Sequence, residues 1–203
     1  MKRQDQYPME AIEGEEFIHK LKNNDEEAFN LLVKTLQDRI YNLALRIVRN
    51  VEEAEEILQE TFLSVFDKID SFQGKSKLST WIYAIASNAA LSKIRKKSND
   101  TVTFDDETSL NLETFLLKNA RENFQLNKED TLVMTELREK LETAIDSLPE
   151  GYKELFLLKE VEKFQIKEIA QILHLNPGVV KTRLHRARLQ LRAILSEYWN
   201  EGD

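Results

Sequence analysis

The sequence predicts an all-α fold: two small helical domains joined by an acidic linker, the C-terminal one a helix-turn-helix. Three observations predict it. Glycine and proline number only 5 and 3 in 203 residues, too few for the many turns of a β-rich chain. Apolar residues recur at helical spacing in two separate blocks. Between them, residues 98–150 carry 13 acids (Asp100, Asp105, Asp106, Glu107, Glu113, Glu122, Glu129, Asp130, Glu136, Glu139, Glu142, Asp146, Glu150) against five bases (Lys118, Arg121, Lys128, Arg138, Lys140).

The elements follow in order. Residues 1–23 are expected to be an N-terminal extension, and residues 24–97 the first domain. Ala28, Phe29, Leu32, Leu36, Ile40, Leu43, Ala44 and Ile47 mark its first long helix, with Asn24 or Asp25 placed to cap it. Asn50 opens a second helix with Glu53 at capping-box spacing. Ala54, Ile57, Leu58, Phe62, Val65, Phe66 and Ile69 supply its apolar stripe. Residues 71–79 read as a loop around Gly74. A third helix runs from about residue 79 to 97, with Trp81, Ile82, Ile85, Ala89 and Ile94 spaced for packing. Residues 98–131 read as an acidic linker with some helical content, and residues 132–199 as the second domain. There Leu137, Leu141, Ala144, Ile145 and Leu148 form one stripe. Pro149 suits the first turn of the next helix, and Tyr152, Leu155, Phe156, Leu158 and Val161 continue the core. A helix over 166–173, a break at 174–176 and a last helix over 177–199 complete the chain.

Composition narrows the function. The absence of cysteine excludes disulfides and cysteine-based zinc sites and fits a reducing cytoplasm. The first 14 residues are polar and acidic, unlike a secretory signal, and no apolar run approaches the length that spans a bilayer. The three histidines are scattered and no glycine-rich loop could cradle a phosphate. No enzymatic constellation, cofactor or metal site is therefore expected. The net charge of −7 opposes nucleic-acid binding overall. Locally it reverses: Lys93, Arg95, Lys96 and Lys97 form one basic cluster, and Lys181, Arg183, Arg186, Arg188 and Arg192 occupy a stretch without a single acid.

The most specific pattern is FQIKEIAQILHLNPGVVKTRLHRARLQLR, residues 164–192. Ala170 is small where two helices must approach. Ile169, Leu173, Leu175, Val180 and Leu184 can fill the space between them. Asn176 can cap the second helix, and Pro177 has the φ angle of its first turn. This is a helix-turn-helix. Its second helix offers Lys181, Thr182, Arg183, His185, Arg186 and Arg188, residue types that donate to guanine edges and phosphates from within the major groove. His185 has no histidine or cysteine at metal-ligand spacing.

The front half decides what kind of protein carries this motif. AEEILQETF (54–62), FQGKSKLSTWIYAIASNAALSKIRKK (72–97) and the block from Ser147 to Arg192 together resemble the extracytoplasmic-function (ECF) group of the sigma-70 family of RNA polymerase sigma factors. The resemblance covers residues 24–97 and 132–195. It implies a non-enzymatic cytoplasmic factor that binds core RNA polymerase and directs initiation at promoter DNA. It further implies that Ile57, Gln59, Glu60 and Phe62 dock on the clamp helices of the largest polymerase subunit. Asn88 would line a pocket for a flipped base of the −10 element, and Lys93, Arg95, Lys96 and Lys97 would hold phosphates nearby. Lys181, Thr182, Arg183, His185, Arg186 and Arg188 would read the −35 element. An anti-sigma factor, which could hold the chain at a membrane, is implied as a partner. The chain departs from the family at Val179, where threonine is frequent, at Thr182, where serine is, and at Ser92, where an acid is common. His174 stands where many helix-turn-helix units have glycine. Trp81 is open between a core place and stacking on a base. The alternative is a stand-alone helix-turn-helix regulator, which would bind a palindromic operator as a dimer; the 54–62 and 72–97 blocks speak against it.

Overall fold

The computed structural model describes residues 8–97 and 140–200. The expected linker, 98–131, lies outside the described residues, as do Leu132 and Leu137 of the expected second domain. The chain divides into two units, residues 1–101 with 158–177, and residues 102–157 with 178–203. Every described element with repeating backbone structure is helical.

In the first unit, a short 3₁₀ turn (Met9–Ile12) leads to α1 (Glu15–Lys22). Residues of the expected extension are thus folded: Ile12 and Leu21 are buried. The end of α1 is set by Asn24, at φ 56°, with Asp25 N–H reaching back to Lys20 O at 3.0 Å and Asn24 N–H to Leu21 O at 3.0 Å. Asparagine tolerates this left-handed conformation, and the paired bonds satisfy carbonyls that a helix end leaves open. Asp25 then caps α2 (Glu26–Val48), its carboxylate accepting from Ala28 N–H at 2.9 Å. Helix α2 ends at Arg49, itself left-handed at φ 55°, and Asn50 starts α3 (Val51–Lys68) by accepting from Glu53 N–H at 2.8 Å. A two-residue turn therefore folds α3 back on α2. The periodic residues fill the space between them: Leu32, Leu36, Ile40, Ala54, Ile57 and Val65 are completely buried.

Helix α4 (Leu78–Lys97) packs on both α2 and α3. Its first free N–H groups are satisfied from far away in sequence. Glu13 accepts from Leu78 N–H at 2.7 Å and from Ser79 N–H at 3.2 Å, a carboxylate at the positive end of a helix. The loop before α4 is held by Lys22, whose ammonium donates to Phe72 O at 2.8 Å. Its reversal falls on Gly74, at φ +67°, a left-handed value that costs glycine least. Trp81 is half-buried, 5.3 Å from the ring of Phe72. It closes the rim of this loop.

The same unit includes part of the C-terminal block. Beyond a π-helical turn (Leu157–Val161) lies a loop and then α7 (Ile166–Ile172), which packs on α4. Helices α5 (residues 140–147) and α6 (Glu150–Phe156) precede it in the chain and belong to the second unit. The π turn shifts the helical phase. Val161, expected in the core, is therefore exposed, while Glu162 and Phe164 are buried. The buried carboxylate is met by the Tyr83 hydroxyl, donating at 2.5 Å, and by the Arg39 guanidinium at 3.9 Å. Phe164 packs edge-on against the Tyr83 ring, 4.7 Å between centroids. At the other end, Lys77 pairs with Glu168 at 2.7 Å, and Glu168 also accepts from Gln165 N–H at 2.7 Å. Thr80 and Ser87 stand one turn either side of Tyr83, and their buried hydroxyls have no partner. Helix α7 ends with Leu175 N–H on Ala170 O at 2.9 Å and His174 N–H on Gln171 O at 3.4 Å. This closure demands a left-handed residue, and His174 supplies it at φ 53°. The sequence thus places a side chain where glycine costs least.

Burial holds the Glu162 carboxyl above its ordinary value of 4.5, outweighing the Tyr83 hydrogen bond and the charges of Arg39 and Arg46, which pull it down. A carboxyl with a raised value favours the packed state when protonated. Its contribution is therefore complete below about 4.5 and is lost as pH rises through the raised value. Amide exchange of α7 followed against pH should show protection falling across that window. Glu162→Gln, neutral and isosteric, should flatten the profile, and an unchanged profile would count against the assignment.

The second unit contains a helix through residues 140–147 (α5), α6 (Glu150–Phe156) and α8 (Pro177–Asn200). Pro149 immediately precedes α6 rather than sitting in its first turn. Its carbonyl accepts from Tyr152 and Lys153 N–H, both at 2.9 Å. Ala144, Ile145, Leu148 and Leu155 are buried, whereas Leu141, expected in the same stripe, is exposed. Lys153, itself buried, pairs with Asp146 at 2.7 Å. On α8 the buried residues Val180, Leu184, Ala187 and Leu191 form one stripe.

Candidate docking face and nucleic-acid interface

Three helices carry the residues expected to act. On α3, the residues spaced for the core hold it down: Ala54, Ile57 and Val65 are inaccessible, and Thr61 donates back to Ile57 O at 2.6 Å. Ile57, expected to dock, is thus a core residue, because its position repeats with Ala54, Thr61 and Val65. Phe62 is also buried, its ring 6.4 Å from Phe29. Gln59 and Glu60 are exposed. They share their side of the helix with two residues that were not singled out for docking. Leu63 is 64% exposed and Phe66 52%. Phe66 leans on Phe29 edge-on at 5.6 Å and closes a shallow apolar hollow lined also by Leu21, Val65 and Ile69, with Asp25 and Glu26 at its rim. Exposed Glu52, Glu55, Glu56 and Glu60 make the same helix acidic. An apolar pair set in carboxylates suits a partner with apolar anchors and basic residues around them.

On α4, Asn88 is exposed, where its amide can offer both a donor and an acceptor. Lys93 is half-buried and hydrogen-bonded to Glu56 of α3; that bond raises its pKa above the ordinary value. It ties the two helices together at the surface. Arg95 and Lys96 are exposed, and the side chain of Lys97 lies outside the described residues. On α8, Lys181, Thr182, His185 and Arg188 are exposed, and Arg183 and Arg186 are half-buried. The buried stripe at Val180, Leu184 and Ala187 is what turns these residues to the other sides of the helix. Thr182 donates its hydroxyl to Gly178 O at 3.1 Å. Among the described residues, no group of three or more histidine or carboxylate side chains could hold a metal ion, and no helix is long and apolar enough to cross a membrane.

Comparison with known proteins bears on the whole of this arrangement. Residues 32–99 match the family model of sigma-70 region 2, and residues 138–191 that of sigma-70 region 4. The first of these contains α3 and α4, and the second contains α7 and α8 as far as residue 191. The chain is 36% identical over 180 residues to the ECF RNA polymerase sigma factor SigW of Bacillus subtilis, covering 89% of this chain and 95% of that protein. It is 30% identical over 179 residues to the ECF RNA polymerase sigma-E factor of Escherichia coli, covering 88% and 92%. Two solved structures share the fold. One is CnrH in complex with the cytosolic domain of CnrY, with a TM-score of 0.63, 18% identity and coverage of 89% of this chain and 96% of that one. The other is the sigma factor RpoE in complex with the anti-sigma factor NepR from Bartonella quintana, with a TM-score of 0.58, 20% identity and coverage of 83% and 96%.

Proposed function

The chain belongs to the ECF group of the sigma-70 family, factors that direct RNA polymerase to promoters, and from that premise we propose how its surfaces share the task. Helix α3 docks on core polymerase, at the clamp helices of the largest subunit, through Gln59, Glu60, Leu63 and Phe66. Ile57 and Phe62 act beneath them as support. Helix α4 serves the −10 element: Asn88 receives a flipped base of the opened strand, and Arg95, Lys96 and Lys97 hold phosphates. Helix α8 reads the −35 element in the major groove with Lys181, Thr182, Arg183, His185, Arg186 and Arg188. The factor works in the cytoplasm without catalysing a reaction or holding a cofactor. An anti-sigma factor restrains it, as in the complex of the RpoE–NepR neighbour.

The observation that carries this reading is the presence of both region 2 and region 4 in a chain that matches a 36% identical ECF sigma factor over 95% of its length. The net charge of −7 supports the dependence on polymerase. Long-range repulsion weakens each basic patch alone, and joining two weak sites on one enzyme restores affinity. Run-off transcription by purified chain and core polymerase on a genomic promoter library tests it. The expected result is initiation at a restricted set of sites. On those sites Arg186→Ala should cost about 1–3 kcal/mol, roughly 5- to 150-fold, if its guanidinium donates to a base. Core polymerase gaining no new start sites would refute the reading.

A further inference from the structure

We propose that Val179 determines promoter specificity by reading the 5-methyl group of a thymine in the −35 element. The inference rests on α8 being the reading helix and concerns a residue outside the polar set assigned above. Val179 lies in the first turn of α8, the part of a recognition helix that reaches base edges. It is 37% exposed, whereas its neighbour Val180 is completely buried. Val179 is therefore turned off the core stripe. It stands at i, i+3, i+4 and i+7 with Thr182, Arg183 and Arg186, so it shares a side of the helix with the polar readers.

Two neighbours sharpen this. The Thr182 hydroxyl is turned back to Gly178 O at 3.1 Å. Its donor is thus used on the helix itself, leaving its acceptor lone pairs and its methyl for outside contact. Gly178, exposed beside Val179, has no side chain to hold another surface away. The result is a small apolar spot at the tip of an otherwise cationic helix. In the major groove only thymine presents a methyl group, at C5, and an aliphatic side chain recognises it without a hydrogen bond. An exposed valine is ordinary on a protein surface. Its place among the base-reading positions, with the nearest hydroxyl's donor already engaged, gives it this ligand.

The test uses holoenzyme, the chain with core polymerase, on a promoter chosen by run-off transcription. Each thymine of the −35 element, on both strands, is replaced in turn by deoxyuridine, which pairs identically but lacks the methyl. With the native chain, one replacement should lower initiation about fourfold, the factor expected for one buried methyl group. Val179→Ala should weaken the thymine promoter and abolish the difference between thymine and deoxyuridine at that position. Two results overturn the proposal while leaving the sigma-factor reading intact: indifference of the native chain to every replacement, or a difference that persists in Val179→Ala. Failure to initiate on unmodified DNA overturns both.

Discussion

Leu63→Asp is expected to abolish docking on core polymerase while leaving the fold intact. Leu63 is 64% exposed on the outer side of α3, between Gln59 and Phe66 in the helical repeat. In the free chain its side chain is largely in water, so the substitution should change stability by no more than about 0.5 kcal/mol. At an interface the same leucine is an apolar anchor. Replacing it with a carboxylate removes the apolar contact and leaves a charge to be desolvated. The expected loss is about 2 kcal/mol or more, at least 30-fold in affinity. A fluorescence titration of labelled chain with core polymerase reads the first effect and a thermal melt the second. Undiminished affinity would remove this face from the docking surface.

Ile57→Ala should do the reverse. Ile57 is fully buried six residues earlier on the same helix, and truncating such a side chain costs about 2–5 kcal/mol through lost burial and the cavity left behind. For a small domain that lowers Tm by roughly 10 °C or more. Polymerase affinity per folded molecule should be almost unchanged. The two substitutions separate a residue that touches the partner from one that supports the surface, a distinction that motif matching alone does not make.

Helices α2 and α3 are legible in the sequence because their apolar residues repeat cleanly and Asp25 and Asn50 provide local caps. Helix α4 is readable as a helix, but its apolar and small residues surround it, so periodicity does not say which neighbours it has. Phe66 illustrates the limit of reading a stripe. It lies one position from Val65, a rotation of about 100°, and the pattern admits both residues although only Val65 is buried. Glu13 as the cap of α4 and Glu162 as the partner of Tyr83 involve residues 65 and 79 positions apart. No local pattern carries such pairings. The same holds for Lys93: its charge is plain in the sequence, its engagement by Glu56 is not. His174 is a different case. The helix-turn-helix pattern itself marks the position as one that favours glycine, and the left-handed backbone there gives the reason.

The seating of α7 on α4 also sets a linkage within the first unit. Tyr83 donates to the buried Glu162 only while this packing holds. A ligand that bound solely to the separated form would be opposed by whatever free energy the packing contributes, and every substitution that weakens the contact would raise its apparent affinity in proportion.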